Sequence, residues 1–85
     1  MVVTPGRSQV VHSFPVVMRG YDRRQVDELL ARVDGTLGRG PAVLPPVTAA
    51  DVRAARFAKK ARGYAPGEVD EALNAAAAEL ERQSA

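Results

Sequence analysis

The sequence contains an internal repeat, because nine residues of its first half return 43 positions later in its second half. Two runs return intact: Arg19-Gly20-Tyr21 as Arg62-Gly63-Tyr64, and Val26-Asp27-Glu28 as Val69-Asp70-Glu71. Three single residues return at the same distance: Phe14 as Phe57, Leu30 as Leu73, and Leu37 as Leu80. A repeat identifies the structural unit from which a fold is built. The 85 residues are therefore predicted to form one small domain of two related units, at residues 9–37 and 48–82, joined by a Gly/Pro linker at 38–47.

Each unit contains the apolar spacing of an amphipathic helix, with residues repeating every three or four positions on one face. The apolar face of the first helix consists of Val26, Leu29, Leu30, Val33 and Leu37. The matching face of the second helix consists of Val69, Leu73, Ala76 and Leu80. These two faces are predicted to pack together, within one chain or between two chains. The fold class is mainly α, with two loop-plus-helix units forming a small helical bundle or a coiled-coil-like dimer.

The predicted helices have recognisable starts. Asp22, followed by Gln25 three residues later, forms an N-cap and capping-box pattern before the first helix. Pro66 suits the first turn of the second helix. A further cap at Thr48 predicts a short helix from about Ala49 to Lys60, with an apolar face formed by Ala50, Ala54, Phe57 and Ala61. The corresponding segment of the first unit, 9–18, is rich in valine and contains a proline, so extended structure is as compatible with it as a helix.

Both units resemble the N-terminal motif of the DivIVA family of bacterial polar and septal scaffold proteins. The shared pattern is a phenylalanine, then a loop ending in an apolar residue and Arg-Gly-Tyr, then a helix that opens with Val-Asp. The first unit follows this pattern from Phe14 to Leu30, and the second follows it from Thr48 to Leu80. The resemblance implies a parallel coiled-coil dimer that recruits growth and division proteins. It also implies a motif loop that contacts the membrane.

The resemblance assigns a role to the loop in each unit. Its apolar-Arg pair corresponds to Met18 and Arg19 in the first unit, and to Ala61 and Arg62 in the second. Together with the basic run of the second unit, the candidate membrane-contact residues are Met18, Arg19, Lys59, Lys60 and Arg62. The candidate loop anchors are Phe14, Gly20, Tyr21, Phe57, Gly63 and Tyr64. The two glycines are expected to supply either a positive φ or a close backbone approach.

Each of these assignments has an alternative interpretation. The basic run from Arg53 to Arg62 is also what a solvated surface paired with the acidic second helix would contain. Met18 suits a packed core as well as a membrane wedge. Binding to nucleic acid is a further alternative, but the net charge is only +2, and the sequence has no recognisable helix-turn-helix or RNA-binding motif.

Composition argues against catalysis and metal binding. The sequence has no cysteine and a single histidine, His12, so thiol chemistry and histidine clusters are excluded. Acidic residues at the predicted helix starts are explained by the helix dipole. Uncharged stretches are too short to span a membrane. We therefore expect a non-enzymatic protein without cofactors or small-molecule substrates, located in the cytoplasm or peripherally at the inner membrane face of poles or septum.

The expected function is that of an adaptor in bacterial cell division or polar growth, which associates through its helices and binds an anionic membrane surface. The expected partner is a second copy of the chain or a larger coiled-coil scaffold. A second copy is expected because a chain of this length buries only about 60–65% of the surface that its unfolded form exposes. The alternative is a purely structural oligomerisation domain without a membrane role.

Overall fold

The computed structural model describes residues 14–41 and 44–84. In chain order they form strand β1 (Val16–Tyr21), helix α1 (Arg23–Thr36), helix α2 (Ala49–Ala54), strand β2 (Lys59–Tyr64) and helix α3 (Pro66–Ser84). The protein is mainly helical, as its sequence predicts, and its two strands form one small antiparallel sheet. In this part of the chain the helices form no clear bundle or coiled coil, so the finer prediction about their arrangement is not met. α1 and α3 each follow a strand of the same sheet directly, so the sheet sets their positions.

The two units are joined at the sheet by equivalent hydrogen bonds. The backbone N–H of Asp22 donates to the carbonyl of Ala58 at 2.8 Å, and the N–H of Ala65 donates to the carbonyl of Pro15 at 2.9 Å. Shifting either bond by the repeat distance of 43 residues, with the two units exchanged, produces the other. The two units are therefore related by approximate two-fold symmetry, and they pack against each other within one chain.

The strands run in opposite directions, because Val16 pairs with Tyr64 while Tyr21 pairs with Lys59. Their pairing is irregular, and their backbones approach closely at Gly20 and Gly63, which are both buried. A Cβ atom on either glycine would lie less than 3.0 Å from backbone atoms of the other strand. Of the two reasons expected for these glycines, close backbone approach is therefore the one the structure shows.

Helix α1 has the predicted N-cap but lacks the predicted capping box. The Asp22 carboxylate accepts from the backbone N–H groups of Arg24 at 2.9 Å and Gln25 at 3.4 Å. The Gln25 side chain instead accepts from the backbone N–H of Ala58 at 2.8 Å. This N–H belongs to the extended segment before β2, so Gln25 joins the two units instead of closing its own helix.

The C-terminus of α1 ends in a Schellman motif. Gly38 adopts a φ of 83°, and its N–H donates to the carbonyl of Gly35, while the N–H of Arg39 donates to the carbonyl of Asp34. The first glycine of the Gly/Pro linker thus ends this helix. Leu37 is the C-cap residue, and its side chain still packs against the core.

Helix α2 begins as predicted but ends earlier. Thr48 and Asp51 exchange both hydrogen bonds of a capping box, each at 3.1 Å. The helix stops at Ala54, so the predicted continuation to Lys60 is wrong. Pairing with β1 draws residues 59–64 into a strand, and tertiary pairing outweighs the helix propensity of an alanine-rich run.

One hydrophobic core holds both units together. Its buried residues come from α1, α2, α3 and the segment before α2: Val26, Leu30, Val33, Val47, Val52, Val69, Leu73, Ala77 and Leu80. Leu29, Leu37 and Ala76 pack against this cluster while partly exposed. Both predicted apolar faces therefore contribute to one core.

Three core residues correct the sequence-based predictions. In α2 the buried residue is Val52, whereas Ala50 and Ala54 of the predicted apolar face are exposed. In α3 the fully buried alanine is Ala77, one position after the predicted Ala76. Val47, the last residue of the predicted linker, is buried, and its N–H donates to the Thr36 hydroxyl at 2.9 Å. The predicted segment 9–13 and linker positions 42–43 lie outside the described residues.

Candidate functional site

The two strands form an exposed ribbon, defined as residues 16–21 and 59–64. The first four positions of each strand are exposed, and burial begins only at the glycine near its end. Met18 is 80% exposed, and Val16 and Val17 are also exposed. Of its two expected roles, Met18 is therefore not a core residue in this structure. Large apolar side chains held in solvent commonly mark an interaction surface.

Arg19, next to Met18, has a strained backbone. Its φ is 62°, and a left-handed conformation costs a non-glycine residue about 1–2 kcal/mol. Such strain is found preferentially at binding and switch sites, where the surrounding structure holds it in place. The apolar-Arg pair that the resemblance implies for the first unit thus occupies an exposed, conformationally restricted position on the ribbon.

The second strand supplies positive charge to the same ribbon. Arg62 pairs with Met18 across the sheet, and Lys60 pairs with Gly20. The ammonium nitrogen of Lys60 lies 3.8 Å from the Asp22 carboxylate. The ammonium nitrogen of Lys59 lies 5.6 Å from the centre of the Tyr21 ring. The predicted membrane-contact residues are therefore brought together: Met18, Arg19, Lys59, Lys60 and Arg62 all lie on the ribbon and are all exposed.

Two aromatic pairs lie at the base of the ribbon, where the ends of its strands meet the core. In each pair, a residue just before one strand contacts the last residue of the other strand. The rings of Phe14 and Tyr64 have centres 5.1 Å apart, and those of Tyr21 and Phe57 have centres 5.3 Å apart. All four are partly buried against the core. The structure places the predicted loop anchors here, and each pair joins one unit to the other. Aromatic pairs of this geometry contribute about 0.5–1.5 kcal/mol beyond their buried area.

Each tyrosine also reaches across to the helix of the other unit. The Tyr21 hydroxyl donates to the Asp70 carboxylate at 3.1 Å, and the Tyr64 hydroxyl donates to the Asp27 carboxylate at 2.9 Å. The sequence alone explained these acidic residues by the helix dipole and missed this role. The repeat contains a signal for this pairing, because both members of the tyrosine–aspartate pair occur in each unit, at the same positions.

Partial burial raises the pKa of both tyrosine hydroxyls, and the hydrogen bond to the carboxylate raises it further. Arg56 lowers the pKa of Tyr21, and Arg23 lowers that of Tyr64, as smaller opposing effects. The phenolic proton is thus held more firmly in the folded protein than in the unfolded chain.

Alkaline titration of the two tyrosines is expected to destabilise the protein. Because the folded pKa lies above the unfolded value of about 10, this contribution is fully present below pH 10 and is lost as pH rises through the folded pKa. Tyr21→Phe and Tyr64→Phe should each lower the unfolding free energy at neutral pH by about 1 kcal/mol and weaken its alkaline dependence. Urea unfolding between neutral pH and pH 11.5, with tyrosinate absorbance followed in parallel, measures both effects. An unchanged pH profile in the double variant would contradict this assignment.

The described residues show no further site of a familiar kind. Within 14–41 and 44–84, no group of three or more His, Cys, Asp or Glu side chains is arranged to hold a metal ion. No helix in the same ranges has the length and apolar content needed to cross a membrane. His12 lies outside the described residues.

Comparison of the chain with protein-family models, with curated proteins and with solved structures gives no match. Function is therefore argued from the ribbon and its surroundings.

Proposed function

We propose that the chain is a non-enzymatic adaptor of bacterial cell division or polar growth, which binds anionic membrane surfaces through its ribbon. The observation that carries this proposal is the exposure of Met18, at 80%, on a sheet whose other strand is basic. The resemblance of both units to the DivIVA motif supports the cellular role. In this proposal Met18 enters the lipid headgroup region, while Arg19, Lys60 and Arg62 contact anionic headgroups.

The energy available to the ribbon is modest but sufficient for reversible binding. Burying a methionine side chain contributes about 1.5–3 kcal/mol, and each cation near an anionic surface contributes about 1 kcal/mol. Met18 with three basic residues would thus supply about 4.5–6 kcal/mol, which corresponds to a dissociation constant of about 0.04–0.5 mM. Binding of this strength is peripheral, and attachment to a second protein would raise it through avidity.

Self-association and binding to a coiled-coil scaffold remain part of the proposal, with one constraint from the fold. The apolar faces of α1 and α3 are buried in one chain, so a partner would have to use other surfaces or exchange one unit with a second copy. In the alternative, a structural oligomerisation domain without a membrane role, a partner chain would cover Met18. The basic strand beside Met18 favours an anionic membrane surface over this alternative.

Met18→Asp is expected to reduce binding to anionic vesicles by at least about ten-fold, because it removes the inserted side chain and adds a repelled charge. Flotation with vesicles containing phosphatidylglycerol measures the bound fraction. Leu44→Asp is the matched control, since Leu44 is 87% exposed and lies outside the ribbon.

Equal flotation of the two variants, or no flotation of the unmodified protein, would argue against the membrane role. The same pair of variants, fused to a fluorescent protein in the native cell, tests the cellular role. We expect the Leu44→Asp fusion to collect at poles and septa and the Met18→Asp fusion to be dispersed.

A further inference from the structure

A second surface, which does not include Met18, lies where α2, β2 and α3 meet. It is a cleft of about 540 Å³ between the end of α2 and the middle of α3. Its lining is Tyr21, Val52, Arg53, Ala55, Arg56, Phe57, Lys59, Asp70, Leu73 and Asn74. Clefts of about 300–1,000 Å³ are large enough to hold a side chain or a small ligand. We call it the basic cleft.

Three cations stand around this cleft. Arg53 forms an ion pair with Glu81 at 2.5 Å, so part of its charge is already balanced. Arg56 donates to the neighbouring carbonyl of Ala55, and its guanidinium is close enough to lower the pKa of Tyr21. Arg56 and Lys59 are both exposed. The rim of the cleft is thus positively charged, and it attracts an anionic group.

The positive charge of the rim is not repeated in the first unit. The positions equivalent to Arg53, Arg56 and Lys59, 43 residues earlier, are occupied by Val10, Ser13 and Val16. Residues that serve the shared architecture, such as the aromatic anchors, are the same in both units. The three cations belong to the second unit alone, which indicates a role for them other than building the repeat.

The residues inside the cleft favour an acidic peptide over nucleic acid as the partner. Its apolar part is formed by Val52, Phe57 and Leu73, while Asp70 and Asn74 line another side. A nucleic-acid backbone would bring phosphates close to the Asp70 carboxylate and would leave the apolar part unused. An acidic peptide offers carboxylates for the rim, an apolar side chain for the interior and backbone amides for hydrogen bonds to Asn74 or Asp70.

We propose that the basic cleft binds an acidic segment of a partner protein, in which carboxylate side chains flank an apolar side chain. Arg56 and Lys59 pair with the carboxylates, and the apolar side chain packs between Val52, Phe57 and Leu73. This binding goes beyond the proposed membrane role and does not depend on it, because it uses no lipid.

The test uses a short synthetic peptide with glutamates on both sides of a leucine, labelled with fluorescein, and the full chain labelled with ¹⁵N. At low salt we expect saturable binding by fluorescence anisotropy. In the ¹⁵N spectrum, the shifted amides should belong to the three parts of the chain that line the cleft, which are Tyr21, residues 52–59 and residues 70–74. Arg56→Glu should weaken binding by about ten-fold or more. Arg24→Glu makes the same charge change at an exposed position of α1, away from the cleft, and should leave binding within about two-fold.

Several outcomes would overturn this proposal. The first is equal weakening of binding by both variants, and the second is equal binding of a peptide with lysines in place of the glutamates. The third is a set of amide shifts that lies outside Tyr21 and the segments 52–59 and 70–74. Stronger shifts of the same amides with a short DNA duplex would indicate nucleic acid instead. Shifts that follow protein concentration without peptide would indicate a second copy of the chain. The map of amide shifts is measured on the unmodified protein, so it does not depend on the folding of any variant. Circular dichroism verifies that both variants are folded.

Discussion

Gly20→Ala is expected to lower the free energy of unfolding by about 3 kcal/mol or more, which is a large part of the stability of a small domain. The added Cβ would lie less than 3.0 Å from the backbone of Gly63 and from the carbonyl oxygen of Tyr64. Those atoms belong to the opposite strand and cannot rotate away as a side chain would. The strands would have to separate, which would also disturb the aromatic pairs at the base of the ribbon.

The approximate two-fold symmetry of the units predicts the same loss of stability for Gly63→Ala, whose Cβ would meet backbone atoms of Gly20 and Tyr21. The matched control is Gly67→Ala in the first turn of α3, where the new Cβ has no atom within 4 Å apart from its chain neighbours and the local backbone of its own helix. Alanine also favours a helix, so the control should be neutral or slightly stabilising, by up to about 1 kcal/mol. Urea unfolding followed by circular dichroism compares the three variants. A Gly20→Ala protein that unfolds at the same urea concentration as Gly67→Ala would contradict the close strand approach.

Leu30→Ala is expected to destabilise the protein by about 2–5 kcal/mol, through lost burial and the cavity that remains. Leu30 is 2% exposed and belongs to the single core formed by both units. Because that core contains residues of α1, α2 and α3, its loss should not be confined to one unit. We expect both units to unfold in one cooperative transition.

The control for this prediction is Leu44→Ala, the same substitution at a side chain that is 87% exposed, which should change stability by less than about 0.5 kcal/mol. Hydrogen exchange of amides in α1 and α3 provides the second measurement. Protection that is lost in α1 and retained in α3 would show that the units fold independently, contrary to the shared core.

The repeat made the helices and their packing faces predictable from sequence. Residues equivalent in the two units, such as Val26 and Val69, are both completely buried, and the N-cap of α1 is where its aspartate predicts. Local pattern sufficed here because helix periodicity and capping depend on neighbours within a few residues.

What the sequence did not reveal depends on partners far along the chain. Residues 59–60 were predicted to be helical, yet they pair with a strand some 40 positions earlier. Gln25 was assigned to its own helix, yet it accepts from Ala58. The side-chain pairing of Tyr21 with Asp70 needs the folded arrangement of both units. Long-range pairing of this kind overrides local propensity, and no pattern within a single segment shows it.

The packing of both units within one chain frees them from being identical. In a dimer of two single-unit chains, every substitution would occur on both sides of the two-fold axis, so an apolar strand could not face a basic one. Here Met18 has Ala61 as its counterpart, and Val17 has Lys60. The covalent link therefore permits a division of labour, in which one half supplies the apolar side of the exposed sheet and the other its charge.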